Sequence, residues 1–211
     1  MSFEVDVRKA IGDSRITAHF AASDGLTVLW GSSGAGKTSI LNMVAGLLRP
    51  DEGHVRVDSD TLFDAAVGID LPPHRRRLGY VFQDGRLFPH LRVRANLLYG
   101  HRLAAPDDRW MTLEEVVAFL DIAPLLDRWP RSLSGGEAQR VAIGRALLSG
   151  ARALLLDEPL ASIDPARRSG IIDVILRIRD DLRLPMLYVT HDPAEADRVG
   201  TRRVDIIPSA R

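Results

Sequence analysis

Cysteine is absent from this sequence. That excludes a disulfide framework and any thiolate metal site, and it leaves the redox compartment open, although a cytosolic enzyme fits. No apolar run approaches the roughly 20 residues a membrane-crossing helix requires. The opening residues, MSFEVDVRK, carry acidic side chains and no apolar segment, so no secretory leader is expected. Work at a membrane would then proceed from its surface, through partners. Net charge is missing too: Lys and Arg total 28, and Asp and Glu total 28. A general nucleic-acid binder normally shows a basic excess, so no nucleic-acid partner is expected. Internal repeats and low-complexity linkers are lacking as well.

What is present suits a globular core. The 211 residues are 45% hydrophobic and 27% charged, enough for one large domain or two small ones. FEVDVR, RITAHF and HVRVD alternate as half-buried strands do and predict an antiparallel layer near the N-terminus. LTVLW, ALLLDE and MLYVTH do not alternate, which suits parallel strands buried on both faces. Each ends in polar or glycine residues, where open α/β sheets place their ligands. Helices are expected over 37–48, 112–120, 137–148 and 166–182. The stretch 85–131 lacks strand signals and reads as a mostly helical insertion. Arg75, Arg76 and Arg77 precede a strand and read as a solvated, salt-bridged face rather than a nucleic-acid patch.

GSSGAGKTS supplies Gly31, Ser32, Ser33, Gly34, Ala35, Gly36, Lys37, Thr38 and Ser39 in the pattern G-x-x-x-x-G-K-S/T. Glycines let successive backbone N–H groups turn inward around phosphate oxygens with no Cβ in the way. Lys37 would add a point charge to the β- and γ-phosphates, and the Thr38 hydroxyl could bind Mg²⁺. As a loop lysine, Lys37 is expected to be exposed. The loop follows an apolar strand and opens a helical segment, the context this motif requires. Downstream, LLLDEP puts Asp157 at a strand end, where it suits a Mg²⁺ shell through water. Glu158 follows, placed to orient or deprotonate an attacking water.

A second helix N-terminus lies far downstream. Ser134 followed by Glu137 is a capping box, which stabilises a helix anywhere. Gly135 and Gly136 between them cost helix propensity, and make sense where a ligand approaches the backbone closely. A γ-phosphate at the positive end of a helix is such a ligand.

LSGGE, the phosphate loop, LLLDEP, Gln83 in VFQD, Asp164 in ASIDP and His191 in VTHD occur in the order of the ATP-binding cassette family, which the chain resembles. The resemblance implies an α/β fold: a P-loop NTPase (ABC ATPase) core with an N-terminal antiparallel β layer and an inserted helical subdomain near 85–150. One cassette would span 1–211. It implies ATP and Mg²⁺ as cofactors and a homodimer paired head to tail. Each ATP then lies between one chain's loop and the other's Ser134–Glu137 turn. By the same resemblance Gln83 senses Mg²⁺ and the water, Asp164 lies at the dimer seam, and His191 contacts the γ-phosphate. Catalysis falls to Glu158, His191 and Gln83, and metal binding to Thr38, Gln83 and Asp157.

More narrowly, WGSSGAGKTSILN, RRLGYVFQDGRLFPHLRVRANLLYG and LLDRWPRSLSGGEAQRVAIGRALL resemble the ATP-binding subunits of molybdate importers. That implies integral-membrane permease subunits, a periplasmic oxyanion-binding protein, and a peripheral place on the cytoplasmic face of the bacterial inner membrane. Leu87, Phe88, Pro89, His90 and Leu91 either line the groove for the channel or form local core. The sequence departs from the family at Ile11, where an aromatic residue often stacks on adenine, and at Glu137, where Gln is commoner. By the same resemblance a regulatory oxyanion-binding domain commonly follows the cassette; with the ending VDIIPSAR none is expected in this chain, by truncation or by nature. Importers of sulfate, iron or polyamine are the near alternatives. A DNA-acting cassette would need long coiled coils between Lys37 and Ser134, and a plain P-loop kinase leaves LSGGE and His191 unexplained.

Overall fold

The computed structural model describes residues 2–23 and 25–207. The expectation about how the chain ends falls in part on 208–211, outside the described residues. In chain order the elements begin with β1 (Phe3–Ile11), β2 (Ser14–Ala22), β3 (Leu26–Trp30) and α1 (Lys37–Ala45). Next come β4 (Glu52–Val57), β5 (Asp60–Asp64), β6 (Ile69–Asp70), α2 (Pro73–Arg76) and β7 (Leu78–Val81). Helices α3 (Val93–Leu103), α4 (Leu113–Leu120) and α5 (Gly135–Leu148) follow. The chain continues through β8 (Ala153–Asp157), α6 (Pro165–Asp180), β9 (Met186–Thr190), α7 (Pro193–Val199) and β10 (Arg202–Asp205). The class is α/β, with an antiparallel sheet, parallel strands and helices, as expected.

Two compact units divide these elements. The first holds the described residues up to Arg76 and those from Arg183 onward. Its antiparallel sheet runs β2-β1-β4-β5-β6. Alternation in FEVDVR turns Phe3, Val5 and Val7 inward, with Glu4 and Arg8 on the exposed face. Val5 pairs with Phe20 on one side and Val55 on the other. β3 lies between β10 and β9, parallel to both, and all of Leu26–Leu29 is buried. Trp30 pairs with Thr190, so the segments that follow these two strands leave from neighbouring strand ends.

Arg76 overturns part of the expected basic face. It is fully buried. Its guanidinium donates to the carbonyls of Met43, Val44 and Leu71 and meets Asp70 at 2.9 Å. The carbonyls of Met43 and Val44 belong to the last turn of α1, where helical partners run out. Arg77 does sit in an ion pair, with Asp108 at 2.7 Å, and Arg75 is exposed.

The second unit spans Arg77–Leu182. β7 and β8 pair in parallel, Val81 beside Leu156. α5 packs against α3, α4, α6 and β7 and forms the centre of this unit.

Candidate functional site

Gly36 has φ 90° and caps α1 from a left-handed conformation, so the chain turns into the helix at Lys37. Gly34 is left-handed as well, at φ 81°. Only glycine adopts such angles without strain, and successive amides turn to one side. A Cβ on Gly34 would meet nothing, whereas one on Gly36 would press on Ile16 at 3.1 Å. Ile16 of β2 therefore backs the loop, a neighbour that the alternation of RITAHF marked as strand but not as loop contact. Lys37 is buried, contrary to expectation, and its Nζ donates to the carbonyls of Gly31 at 2.8 Å and Ser32 at 2.9 Å. The ammonium thus folds over the loop it serves. Ser32, Ser33, Gly34 and Thr38 are exposed, Ala35 is buried, and Ser39 is half-buried.

His191, in the same unit, follows β9 directly and is exposed. The strand end beneath it is organised by Glu195, which sequence reading passed over. Its buried Oε2 accepts from the Tyr188 hydroxyl at 3.1 Å and the Thr190 hydroxyl at 2.8 Å. Thr190 also accepts the Asp192 amide at 3.0 Å.

In the second unit Asp157 closes β8 as a buried carboxylate, and Glu158 steps out of the strand at φ 44°. The pairing of β7 with β8 lets Tyr80 donate its hydroxyl to Asp157 Oδ2 at 3.2 Å. Burial, reinforced by the Asp157 charge, pushes the Tyr80 hydroxyl far above its ordinary pKa, so it remains a donor. Gln83, two residues past β7, is exposed, and its carbonyl accepts from the Ser162 hydroxyl at 3.4 Å. Asp164 is the N-cap of α6 and accepts the Ala166 amide at 2.9 Å.

The Ser134 turn forms the expected capping box. Glu137 Oε2 accepts the Ser134 amide at 2.7 Å, and Ser134 Oγ accepts the Glu137 amide at 3.4 Å. The Ser134 amide holds the Glu137 carboxyl below its usual range, with Arg128 adding an ion pair at 3.1 Å. A Cβ on Gly135 would stand 3.0 Å from the Ser162 carbonyl, and one on Gly136 would meet nothing. Glycine thus lets the turn rest against the segment before Asp164 and leaves the helix end open. Beside it is a cavity of about 510 Å³ lined by Arg128, Ser134, Gly136, Glu137, Arg140 and Arg167. The carboxylates of Asp121 and Glu137 line it as well, and Arg128 already pairs with Glu137.

Residues 31–39 and His191 therefore lie in the first unit. Gln83, Ser134, Gly135, Gly136, Glu137, Asp157, Glu158 and Asp164 lie in the second, where Ser162 touches both the Gln83 and Gly135 neighbourhoods. The residue types are those that suit a nucleoside triphosphate with Mg²⁺: in the first unit glycine-turned amides, a lysine and a threonine hydroxyl, and in the second a strand-end carboxylate. Among the described residues no three His, Asp or Glu side chains cluster as a metal cage. Mg²⁺ held by one or two side-chain oxygens and phosphates needs none.

A family model described as ABC transporter matches residues 19–161. The Molybdenum import ATP-binding protein ModC of Paramagnetospirillum magneticum is 53% identical over 197 residues, which is 93% of this chain and 54% of that protein. The protein of the same name from Rhizobium meliloti is 50% identical over 204 residues, 97% of this chain and 57% of that one. The chain spans about half the length of the curated relatives it matches. Among solved structures, the ATP-binding cassette MJ0796, dimeric in a post-hydrolysis state bound to ADP and Pi, is similar with TM-score 0.76. Identity is 26%, over 98% of this chain and 94% of that one.

Proposed function

Because the chain belongs to the ABC transporter family, we propose that it is the ATP-hydrolysing subunit of an importer, binding MgATP at a homodimer interface to power uptake of molybdate. One observation carries the reading. A single chain has two helices that start at glycine-containing turns, at Gly36–Lys37 and at Ser134–Glu137, and a strand that ends in Asp157–Glu158. Relatives named for molybdenum import, about half identical to this chain, support molybdate as the solute.

In this reading the amides of 31–39 and Lys37 would hold the phosphates, and Thr38, Asp157 and Gln83 would hold the metal. Mg²⁺, when bound, supplies Lewis-acid charge to the phosphate oxygens. Glu158 accepts a proton as the oxygen of water bonds to the γ-phosphorus. The bond from that phosphorus to the bridging oxygen breaks, leaving ADP and phosphate. His191 contacts the γ-phosphate, and Asp164 lines the seam between chains. Ser134, Gly135, Gly136 and Glu137 of the second chain close the same nucleotide. The chemistry is positioning and charge stabilisation. Residues 1–211 would act as one ATP-binding domain, its helical subdomain near 85–150 falling within the second compact unit.

Permease subunits would carry the solute, and a periplasmic oxyanion-binding protein would deliver it, with this chain peripheral on the cytoplasmic face. No helix among the described residues is long and apolar enough to cross a membrane. The permease would dock near Phe88, where a cavity of about 400 Å³ is lined by Leu78, Tyr80, Phe82, Phe88, Tyr99 and Arg145. Asn96 shapes this corner by accepting the Phe88 amide at 2.8 Å and donating to the Leu91 carbonyl at 2.9 Å. The test is co-purification with the permease, reconstitution in vesicles, and uptake of radiolabelled molybdate with MgATP. Sulfate carried in preference to molybdate would reject the solute, and no ATP-dependent uptake of any oxyanion would reject the reading.

A further inference from the structure

The segment after β7 makes an unusual turn. Gly85 has φ 66° and Arg86 has φ 41°, two successive left-handed residues, the second of them not glycine. Such a conformation is strained for arginine and persists where neighbours impose it. The neighbour is Arg145, in the last turn of α5. Its Nη2 donates to the Gly85 carbonyl at 2.8 Å and its Nη1 to the Arg86 carbonyl at 2.7 Å. Gly85 passes over the same face of α5, where its Cβ position lies 3.6 Å from Ala142 Cβ and 3.8 Å from Gln139 Oε1.

We infer that Arg145 is a positioning residue for Gln83, gripping both carbonyls of the Gly85–Arg86 turn so that the loop presents Gln83 in one place. The inference rests on the reading that Gln83 acts in MgATP turnover. Gln83 lies between two anchors, the end of β7 at Val81 and the Arg145 fork. A third contact holds its own carbonyl, through Ser162. The grip also reaches the metal-side carboxylate. The Arg86 guanidinium lies 4.2 Å from the Phe82 ring centre, Phe82 stacks on Tyr80 at 4.2 Å, and Tyr80 bonds Asp157. One guanidinium at the end of α5 thereby constrains the neighbours of both Gln83 and Asp157.

The planar fork matters. Two parallel donors of fixed spacing suit two neighbouring carbonyls, whereas an ammonium is a single point that satisfies one of them well. Nucleotide binding rests on Lys37 and the loop amides, so losing the fork should spare affinity and slow turnover. Small displacements of a reacting group are costly, since about 1 Å can cost on the order of a hundredfold in rate.

The purified chain, R145M, R145K, Q83A and the R145M/Q83A double variant are compared by steady-state MgATP hydrolysis and by hydrogen exchange of the 82–88 segment. R145M is expected to lower kcat about tenfold with KM within about twofold, R145K to fall between, and R145M to add nothing to Q83A. Exchange across 82–88 should quicken while α5 amides keep their protection. Unchanged kcat in R145M, or an equal loss in the Q83A background, overturns the inference. Should R145M lose α5 protection, R145K decides by the same two readouts, and wild-type behaviour in both overturns it. A wild-type chain without MgATP turnover is a failure of the proposed function instead, and the exchange comparison then decides whether Arg145 holds the loop.

Discussion

Arg76 Nη1 lies 2.9 Å from the carbonyl oxygen of Val44, at the opposite end of the helix that begins with Lys37. The same nitrogen reaches Met43 O at 2.9 Å, and Nε reaches Leu71 O at 2.7 Å. A cation at a helix C-terminus satisfies carbonyls that have no helical partner and complements the helix dipole. Gly46, left-handed at φ 78°, makes room, since a Cβ there would stand 2.5 Å from Arg76 Nε. Burial lowers the Arg76 pKa, and the Asp70 charge opposes that shift. α1, and with it the phosphate loop, is thus anchored at its far end by a side chain from α2.

Arg76→Met should therefore destabilise the chain by about 2–3 kcal/mol, because the Val44 and Leu71 carbonyls lose the Arg76 donor, Met43 O keeps only the Gly46 amide, and Asp70 loses its ion-pair partner. Arg76→Lys should recover part of that. Urea titration followed by circular dichroism measures both. A midpoint for Arg76→Met within error of wild type would show that the contacts contribute nothing net.

The Ser134–Glu137 box has a pH signature. Glu137 is held below its ordinary value of 4.5, chiefly by the Ser134 amide. A depressed carboxyl contributes stability above 4.5 and loses it as pH falls through the folded value. The side chain is about one-third exposed, so the effect is small, under about 1 kcal/mol. Glu137→Gln keeps a capping box without a titrating charge. Thermal melts should show wild type losing more stability than Glu137→Gln between pH 5 and more acidic conditions. Parallel acid limbs for the two would remove Glu137 from the account.

The readable parts of the molecule are those where local pattern and final environment coincide. Alternation marked β1, β2 and β4, and unbroken apolar runs marked β3, β8 and β9. The phosphate loop, LLLDEP and the Ser134 turn are local designs, so a short window contains their geometry. β10 could not be read from RRVD, because its strand character comes from pairing with β3, and Arg203 covers the Trp30 ring at 3.8 Å. Arg76 was misread since three consecutive arginines look alike until one meets a helix end. The Tyr80–Asp157 contact depends on Val81 pairing with Leu156, a register no sequence window contains.

Glu158 leaves β8 in a left-handed conformation, which glutamine can adopt at similar cost. Glu158→Gln keeps the shape and its hydrogen bonding toward water, and cannot accept a proton at neutral pH. The expected outcome is MgATP binding near wild type, turnover reduced by on the order of a hundredfold or more, and an ATP-stabilised dimer on gel filtration. Turnover near wild type would remove Glu158 as the base.

The two helix N-termini at Lys37 and Ser134 give the most discriminating test. Lys37→Ala removes the phosphate-loop charge, and Ser134→Arg plants bulk and charge at the second helix N-terminus. Lys37 is buried against its loop, so circular dichroism must first show that Lys37→Ala stays folded. If each ATP lies between the loop of one chain and the Ser134 turn of its partner, each variant homodimer has two damaged sites and should be nearly inactive. In a mixed dimer both lesions fall in the same site, and the other site joins an intact loop to an intact turn. Mixing the two inactive variants should then restore some hydrolysis, or occlusion of one nucleotide per dimer if turnover needs both sites. Were both motifs to serve one ATP within one chain, every chain in the mixture would carry a lesion and no rescue could occur. Mixed dimers demonstrated by crosslinking, with neither hydrolysis nor occlusion recovered, would exclude the two-chain site.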